Sequence, residues 1–316
     1  MSNSRFQPLL CWVLCLAAWL PWHTPVGATE LAVLLSGDGA EYRQVADAIR
    51  AGIDAGGAPS LRVLNVDGYS VERLVAELQP APAMVVTVGI KATRQALALE
   101  TPYPVLATLV PRLSYEAVLQ ELRAQNPQRS FSKHSALYLE QPIVRQVQLA
   151  RLLKQDLTRL GVLLGPHADL HLTETMPADI RLQTVVVVHK DQVADALDAA
   201  LGGFDLLLTV YDPAIIDRRV ANQVLYAAYR RRVAVIGYSE AMVAAGALAA
   251  LHSDGTQIGR HAAELARAAL TRDPVSLVSP AYPRYYRLRC NEAVARYLDL
   301  ERICLSEVRQ AIGAEE

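Results

Sequence analysis

The chain has 316 residues and a formal net charge of −1, from 31 Lys and Arg against 32 Asp and Glu. It carries no basic excess to draw it to nucleic acid, and its length accommodates two lobes at roughly 100–200 residues per domain. Hydrophobic residues make up 52% and aromatic residues 6%, so a core must be built from Ala, Val, Leu and Ile.

The first element is a leader. Arg5 is the only charged residue before Thr29, an apolar run spans residues 8–22, and Val26-Gly27-Ala28 follows. This order predicts a secretory signal peptide over residues 1–28, cleaved after Ala28, and a periplasmic protein. The alternative is an uncleaved anchor, although the run falls short of the roughly 20 apolar residues a span needs. Leu10 and Leu14 precede Cys11 and Cys15, so neither cysteine reads as a lipoprotein site.

Eight short apolar runs follow: residues 31–35, 61–66, 83–88, 105–109, 160–164, 184–188, 205–209 and 233–236. Continuous apolar runs suit parallel strands buried on both faces. Amphipathic segments lie between them. Val45, Ile49 and Ile53 share one helical face; Ile216, Val220, Val224 and Ala227 share another; Ile258, Ala262, Leu265 and Ala269 a third. Such alternation predicts an α/β chain of doubly wound parallel sheets. The polar stretch 125–135 divides the runs into two sets of four and reads as the link between two lobes.

Open α/β sheets bind ligands beyond the carboxyl ends of their strands. The loops there supply the candidate site residues. Ser36-Gly37-Asp38-Gly39 offers N–H groups and a hydroxyl to a carboxylate, or is only a turn. It lacks the third glycine of a dinucleotide fingerprint, since Tyr42 stands in that place. Gly89 and Lys91 open the loop after the third run. Lys91 and Arg112 can each meet an anionic group, or remain solvated surface charges. Asp212 can accept from a ligand ammonium, or cap a helix before Pro213, or both. Tyr69, Tyr211 and Tyr238 can cover an apolar ligand part or pack against the protein.

No Gly-x-Ser-x-Gly elbow is present; Gly237-Tyr238-Ser239-Glu240-Ala241 comes nearest, with Ala241 in the last place. No catalytic residue and no cofactor is assigned. His167, Asp169, His171 and Glu174 form the one metal-like cluster, with a solvated loop as the simpler reading. Beyond the leader the cysteines are Cys290 and Cys304. They are a disulfide candidate in an oxidising compartment, or two buried thiols.

A resemblance emerges from an ordered set of segments. Ser135-Ala136-Leu137-Tyr138-Leu139-Glu140-Gln141-Pro142 leads into Arg145, Gln146 and Leu149, followed by Leu160-Gly161-Val162-Leu163-Leu164-Gly165-Pro166. Tyr211-Asp212-Pro213, Asn222 and Arg232-Val233-Ala234-Val235-Ile236-Gly237-Tyr238-Ser239 come next. Val243-Ala244-Ala245-Gly246, Asp254, Ile258-Gly259, Asn291, Ala295 and Leu298 complete it. This order resembles the substrate-binding proteins of ABC transporters, in the branch of tryptophan- and tyrosine-type periplasmic binding proteins. The resemblance implies a type I periplasmic binding protein: two lobes joined by three segments, near residues 135–139, 247–252 and 285–289. Residues 29–136 and 248–284 would form the first lobe, and 137–247 and 285–316 the second. It also implies a small-molecule ligand, such as an amino acid or small carboxylate, and a permease partner in the inner membrane. The chain departs from the family at Gly89-Ile90-Lys91-Ala92-Thr93, where Lys91 enters a small-residue loop, so the ligand need not be an aromatic amino acid. The same architecture would serve a sensory module for a membrane receptor or kinase. An exported α/β hydrolase is a third reading, disfavoured by the missing elbow.

Overall fold

The computed structural model describes residues 30–55, 60–99, 102–166, 177–272, 274–300 and 306–315. The leader, the His167–Glu174 cluster and Cys304 lie outside the described residues, and so does the proposed cysteine pair. Cys290 ends a strand and is half-buried.

The first sheet is made of β1 (Leu31–Leu35), β2 (Leu61–Asn65), β3 (Met84–Val88), β4 (Val105–Val110) and β5 (His134–Tyr138). Their order is β2-β1-β3-β4-β5 and every pairing is parallel. All five residues of β1 are buried, as a strand covered on both faces requires. Alternate side chains of β1 feed opposite cores. Leu31, Val33 and Leu35 meet Val45, Ile49 and Ile53 of α1 (Ala40–Asp54), while Ala32 and Leu34 meet the cluster of Leu74, Leu97 and Val118. These last belong to α2 (Val71–Glu77), α3 (Ile90–Ala98) and α4 (Arg112–Gln125).

The second sheet contains β6 (Arg159–Leu164), β7 (Arg181–Val186), β8 (Leu206–Thr209), β9 (Ala234–Gly237), β10 (Ala249–His252) and β11 (Arg287–Cys290). The order is β11-β10-β9-β8-β6-β7, parallel except for the antiparallel pair β10 and β11. One face carries α5 (Ile143–Leu153), α10 (Glu292–Tyr297) and α11 (Ser306–Ile312). The other carries α6 (Val193–Ala200), α7 (Arg218–Arg230) and α8 (Glu240–Ala245).

The helix α9 (Gly255–Leu270) follows β10 of the second sheet and yet packs on α1 of the first lobe. Ile258, Ala262, Ala263, Ala266 and Ala269 share one buried cluster with Val45, Ile49 and Ile53. The two backbones approach closely because small residues meet. A Cβ on Gly52 would stand 2.5 Å from Ala263 Cβ, and one on Gly259 would stand 2.5 Å from the Val45 carbonyl oxygen.

The structure places the lobe boundaries differently from the sequence reading. The polar stretch 125–135 is not the link between lobes: it leads into β5, which hydrogen-bonds to β4 in the first sheet. The chain crosses after Tyr138. Residues 249–252 form β10 inside the second sheet, so the next crossing comes after His252, not before residue 248. Ala281 bridges Leu137 at the edge of the first sheet, and the third crossing runs from there into β11. Three strands thus add to the eight read from the sequence, giving sheets of five and six among the described residues.

Candidate functional site

In each sheet the winding reverses beside one strand. β1 has β2 on one side and β3 on the other; β6 has β7 and β8. Loops beyond such a reversal diverge and leave a crevice. The two sheets present these ends to each other across a cleft of about 690 Å³. The first lobe contributes Glu41, Tyr42 and Gln44 at the start of α1, Leu109 near the end of β4 and Pro111 after it. The second contributes Tyr211, Tyr238, Ser239, Glu240 and Ala241. The crossings supply the floor: Leu139 and Glu140 from the first, His252 to Gly255 from the second.

A recess of about 40 Å³ opens behind the two tyrosines. It shares Glu140, Tyr211 and Tyr238 with the cleft and adds Arg112, Gln141, Gln146 and Tyr282. Tyr211 and Tyr238 meet edge to face, with ring centroids 5.2 Å apart, a favourable geometry for aromatic quadrupoles. Tyr282 makes the same kind of contact with Tyr138 of β5 at 5.2 Å. Burial raises the pKa of Tyr238 and of Tyr282, so both hydroxyls stay neutral.

Glu140 is the central charge. Both of its oxygens face the backbone N–H of Arg112, at 2.9 and 3.1 Å, which caps α4. Burial pushes its carboxyl up, against the pull of its own N–H, that of Arg112 and the Arg112 charge. The Arg112 guanidinium pairs with Glu116 one turn along, at 3.0 and 3.2 Å. Burial works most strongly against that cation, and Glu116, Tyr282 and Glu140 together outweigh it, so Arg112 stays charged. On the cleft floor, burial lowers the pKa of His252, while Glu240 and Asp254 pull it the other way.

One hydroxyl ties the three crossings. Ser253 Oγ accepts from Gln141 Nε2 at 2.8 Å and donates to the Tyr285 carbonyl at 2.6 Å. Gln141 follows β5, Ser253 follows β10 and Tyr285 precedes β11. Arg145 adds a second tie, donating to Gln141 Oε1 and, at 3.1 Å, to the Pro283 carbonyl.

The ten residues singled out from the sequence divide between the cleft and its surroundings. Tyr211 and Tyr238 line the cleft, and Arg112 the recess. Ser36 is buried, and its hydroxyl accepts from the Ala92 N–H at 2.9 Å within the first lobe. Gly37 packs near the Tyr42 ring. Asp38 accepts from Asn65 Nδ2 at 2.6 Å. Gly89 takes φ +89° and begins α3 where a Cβ would stand 2.7 Å from Ser36 Oγ. Tyr69 lies under the Arg73 guanidinium, 3.9 Å from its ring centre. Lys91 is exposed and paired with Asp67 at 3.1 Å.

Asp212 is 2% exposed. Its Oδ1 accepts from the Ala214 N–H at 2.8 Å and so shapes a turn, while Oδ2 has no partner and abuts Gly165, where a Cβ would stand 1.9 Å away. The cap of the following helix is Asp217, which accepts from the Val220 N–H at 2.9 Å. Sequence reasoning missed Glu140, Gln146, His252 and Ser253, because the crossings assemble them from distant parts of the chain. The one local signal was the spacing of Arg112 and Glu116, an i, i+4 pair that commits the arginine.

No family model matches the chain, and no curated protein does. Solved structures do. An ABC domain from Streptococcus pneumonia in complex with L-Trp shares 14% identity over 90% of this chain and 99% of its own, with a TM-score of 0.55. A ligand-free, open substrate-binding protein with adhesive properties from Clostridium difficile shares 12% identity over 86% and 95%, at 0.65. A periplasmic ribose ABC transporter protein from Conexibacter woesei shares 11% over 86% and 95%, at 0.52. At these identities the likeness is one of fold. The two α/β lobes and the cleft between them are the type I periplasmic-binding-protein fold that ABC-transporter substrate-binding proteins adopt.

Proposed function

We propose that this protein is an exported solute-binding protein that captures a small molecule between its lobes and delivers it to an ABC permease. The cleft carries this reading: about 690 Å³, within the usual range for ligand pockets, walled by both lobes and floored by the segments that join them. Closure on a ligand changes the outer surface of both lobes, which gives a permease something to read. No helix among the described residues is long and apolar enough to cross a membrane, and export rests on the leader.

The cleft hydroxyls support binding over hydrolysis. Ser239 accepts from the Met242 N–H as the cap of α8, and Ser253 is held by Gln141 and Tyr285. Neither is set up as a nucleophile with a base beside it. Among the described residues, the lining of the cleft has no Lys or Arg and contains Glu41, Glu140, Glu240 and Asp254. A ligand with a carboxylate alone therefore meets no countercharge there. Thermal-shift screening of amino acids, amines, small carboxylates and sugars against the exported protein tests the reading. A stabilising solute, lost on Tyr238→Ala, is the expected result. A folded protein that answers to none of these classes refutes it, and a receptor gene in place of permease genes beside this one would favour sensing.

A further inference from the structure

The recess has chemistry of its own. Gln146 is 5% exposed, and its Nε2 donates to the Gln141 carbonyl at 3.0 Å. That bond fixes which end of the amide is which: Oε1 is the end left over, buried and without a partner. A buried unpaired acceptor is costly, and few survive in a folded protein without a reason. Beside it the recess holds Glu140, whose two oxygens meet the Arg112 N–H and its own N–H and keep acceptor capacity unused. Charge is unbalanced as well among the described residues: the Arg112 guanidinium hydrogen-bonds Glu116, while Glu140 meets the Arg112 backbone N–H.

Size narrows the occupant. About 40 Å³ is little more than the roughly 30 Å³ that one water claims in the liquid. The space admits one head group of water size and no ring. Resting on the solute-binding reading above, we propose that the recess receives the primary ammonium group of the ligand. Gln146 Oε1 and Glu140 accept its N–H bonds, and its apolar or aromatic body lies in the main cleft against Tyr211 and Tyr238. A water would donate to the same acceptors; an ammonium also supplies the missing positive charge. The solute class that fits is an amphipathic primary amine.

A matched series tests this by calorimetry: phenethylamine, its N,N,N-trimethyl derivative, 2-phenylethanol and 3-phenylpropionate. Phenethylamine should bind at least about tenfold more tightly than the other three, given the strength of hydrogen bonds to charged groups. Gln146→Met, close in shape but without the acceptor, should erase most of that preference. Glu140→Gln keeps an acceptor for the Arg112 N–H and removes the charge, and should do the same. Melting curves of both variants report that the fold is kept. Equal binding of the alcohol or the trimethyl compound overturns the proposal, as does a preference that survives in both folded variants, which would leave only a water in the recess. If sugars or carboxylates stabilise the protein and phenethylamine does not, the ammonium assignment falls and the solute-binding reading stands. If no class binds, both fall.

Discussion

Ser253→Ala removes a hydroxyl that ties all three crossings together. The wild-type side chain is 9% exposed, and Gln141 beside it is 3% exposed, so water cannot readily replace the lost group. Two hydrogen bonds go, at 2.8 and 2.6 Å, each worth about 1 kcal/mol net. The Gln141 amide keeps Arg145 on its oxygen but loses its Nε2 partner, and the Tyr285 carbonyl loses its donor. The cost is about 2–3 kcal/mol, at the lower end of the penalty for stranding buried polar groups. For a chain of this size that lowers Tm by about 3–5 °C. Ser253→Thr retains the hydroxyl and should recover most of the loss. Scanning calorimetry of the three proteins at one pH is the assay. If the alanine variant melts within about 1 °C of wild type, the hydroxyl is not the tie that its geometry implies.

Gly259→Val drives a side chain into the Val45 carbonyl and Ala48; overpacking should cost about 1–3 kcal/mol, read by urea unfolding, with Ala48→Gly giving partial relief. Asp205→Ala strands the N–H groups of Thr158 and Arg159 and releases the Arg159 guanidinium, for an expected loss of about 2–4 kcal/mol in the second lobe by the same unfolding assay. His134 is held to a pKa of about 4, chiefly by burial and then by Arg129, and its Nδ1 has no partner. The unfolded chain takes up a proton near pH 6.5 and the folded chain only near 4, so stability falls as pH drops through that window and levels off below it. After a discount for the exposed part of the ring, His134 contributes about 1–2 kcal/mol to that fall. His134→Gln should flatten the Tm–pH curve by that amount, and a curve of unchanged slope would contradict the assignment.

What the sequence shows follows from how each strand is covered. β1, β3, β4, β6, β8 and β9 have helices on both faces, so they read as unbroken apolar runs. β5 opens on His134 and Ser135, and β11 alternates Arg287, Leu288, Arg289 and Cys290 as an antiparallel edge with one face outward. Neither has the pattern of a central strand, and β10 reads Ala249-Ala250-Leu251-His252, with no β-branched residue. The lobe boundaries slipped for that reason. The site was less legible, because a loop's place in the fold does not reveal its partners. Lys91 stands in the first turn of α3, just after a first-sheet strand, yet Asp67 from a neighbouring loop takes its charge. Tyr211 and Tyr238 could be read because each lies within two residues of the end of a second-sheet strand. Glu140, Gln146 and Ser253 lie on or beside the crossings, where function depends on three segments meeting.

Gln146, Gln141 and Ser253 form one connected chain. Gln146 Nε2 donates to the Gln141 carbonyl at 3.0 Å, Gln141 Nε2 to Ser253 Oγ at 2.8 Å, and Ser253 Oγ to the Tyr285 carbonyl at 2.6 Å. The recess is therefore two hydrogen bonds from the hydroxyl that holds the crossings together. Contiguity alone does not establish coupling; the physical warrant is a two-state element that both sites bias, and on the solute-binding function proposed above that element is the relative position of the lobes. A group that engages Gln146 Oε1 restrains the same amide whose other end steadies Gln141. Gln146→Met and Ser253→Ala should then be non-additive. A double-mutant cycle on unfolding free energy should give an interaction of about 0.5–3 kcal/mol, as for residues in one hydrogen-bond network. The same cycle on phenethylamine affinity should show Ser253→Ala weakening binding in wild type and much less in Gln146→Met. Additivity within about 0.3–0.5 kcal/mol in both cycles would mean that recess and hinge merely adjoin, and that closure is driven from the tyrosine wall instead.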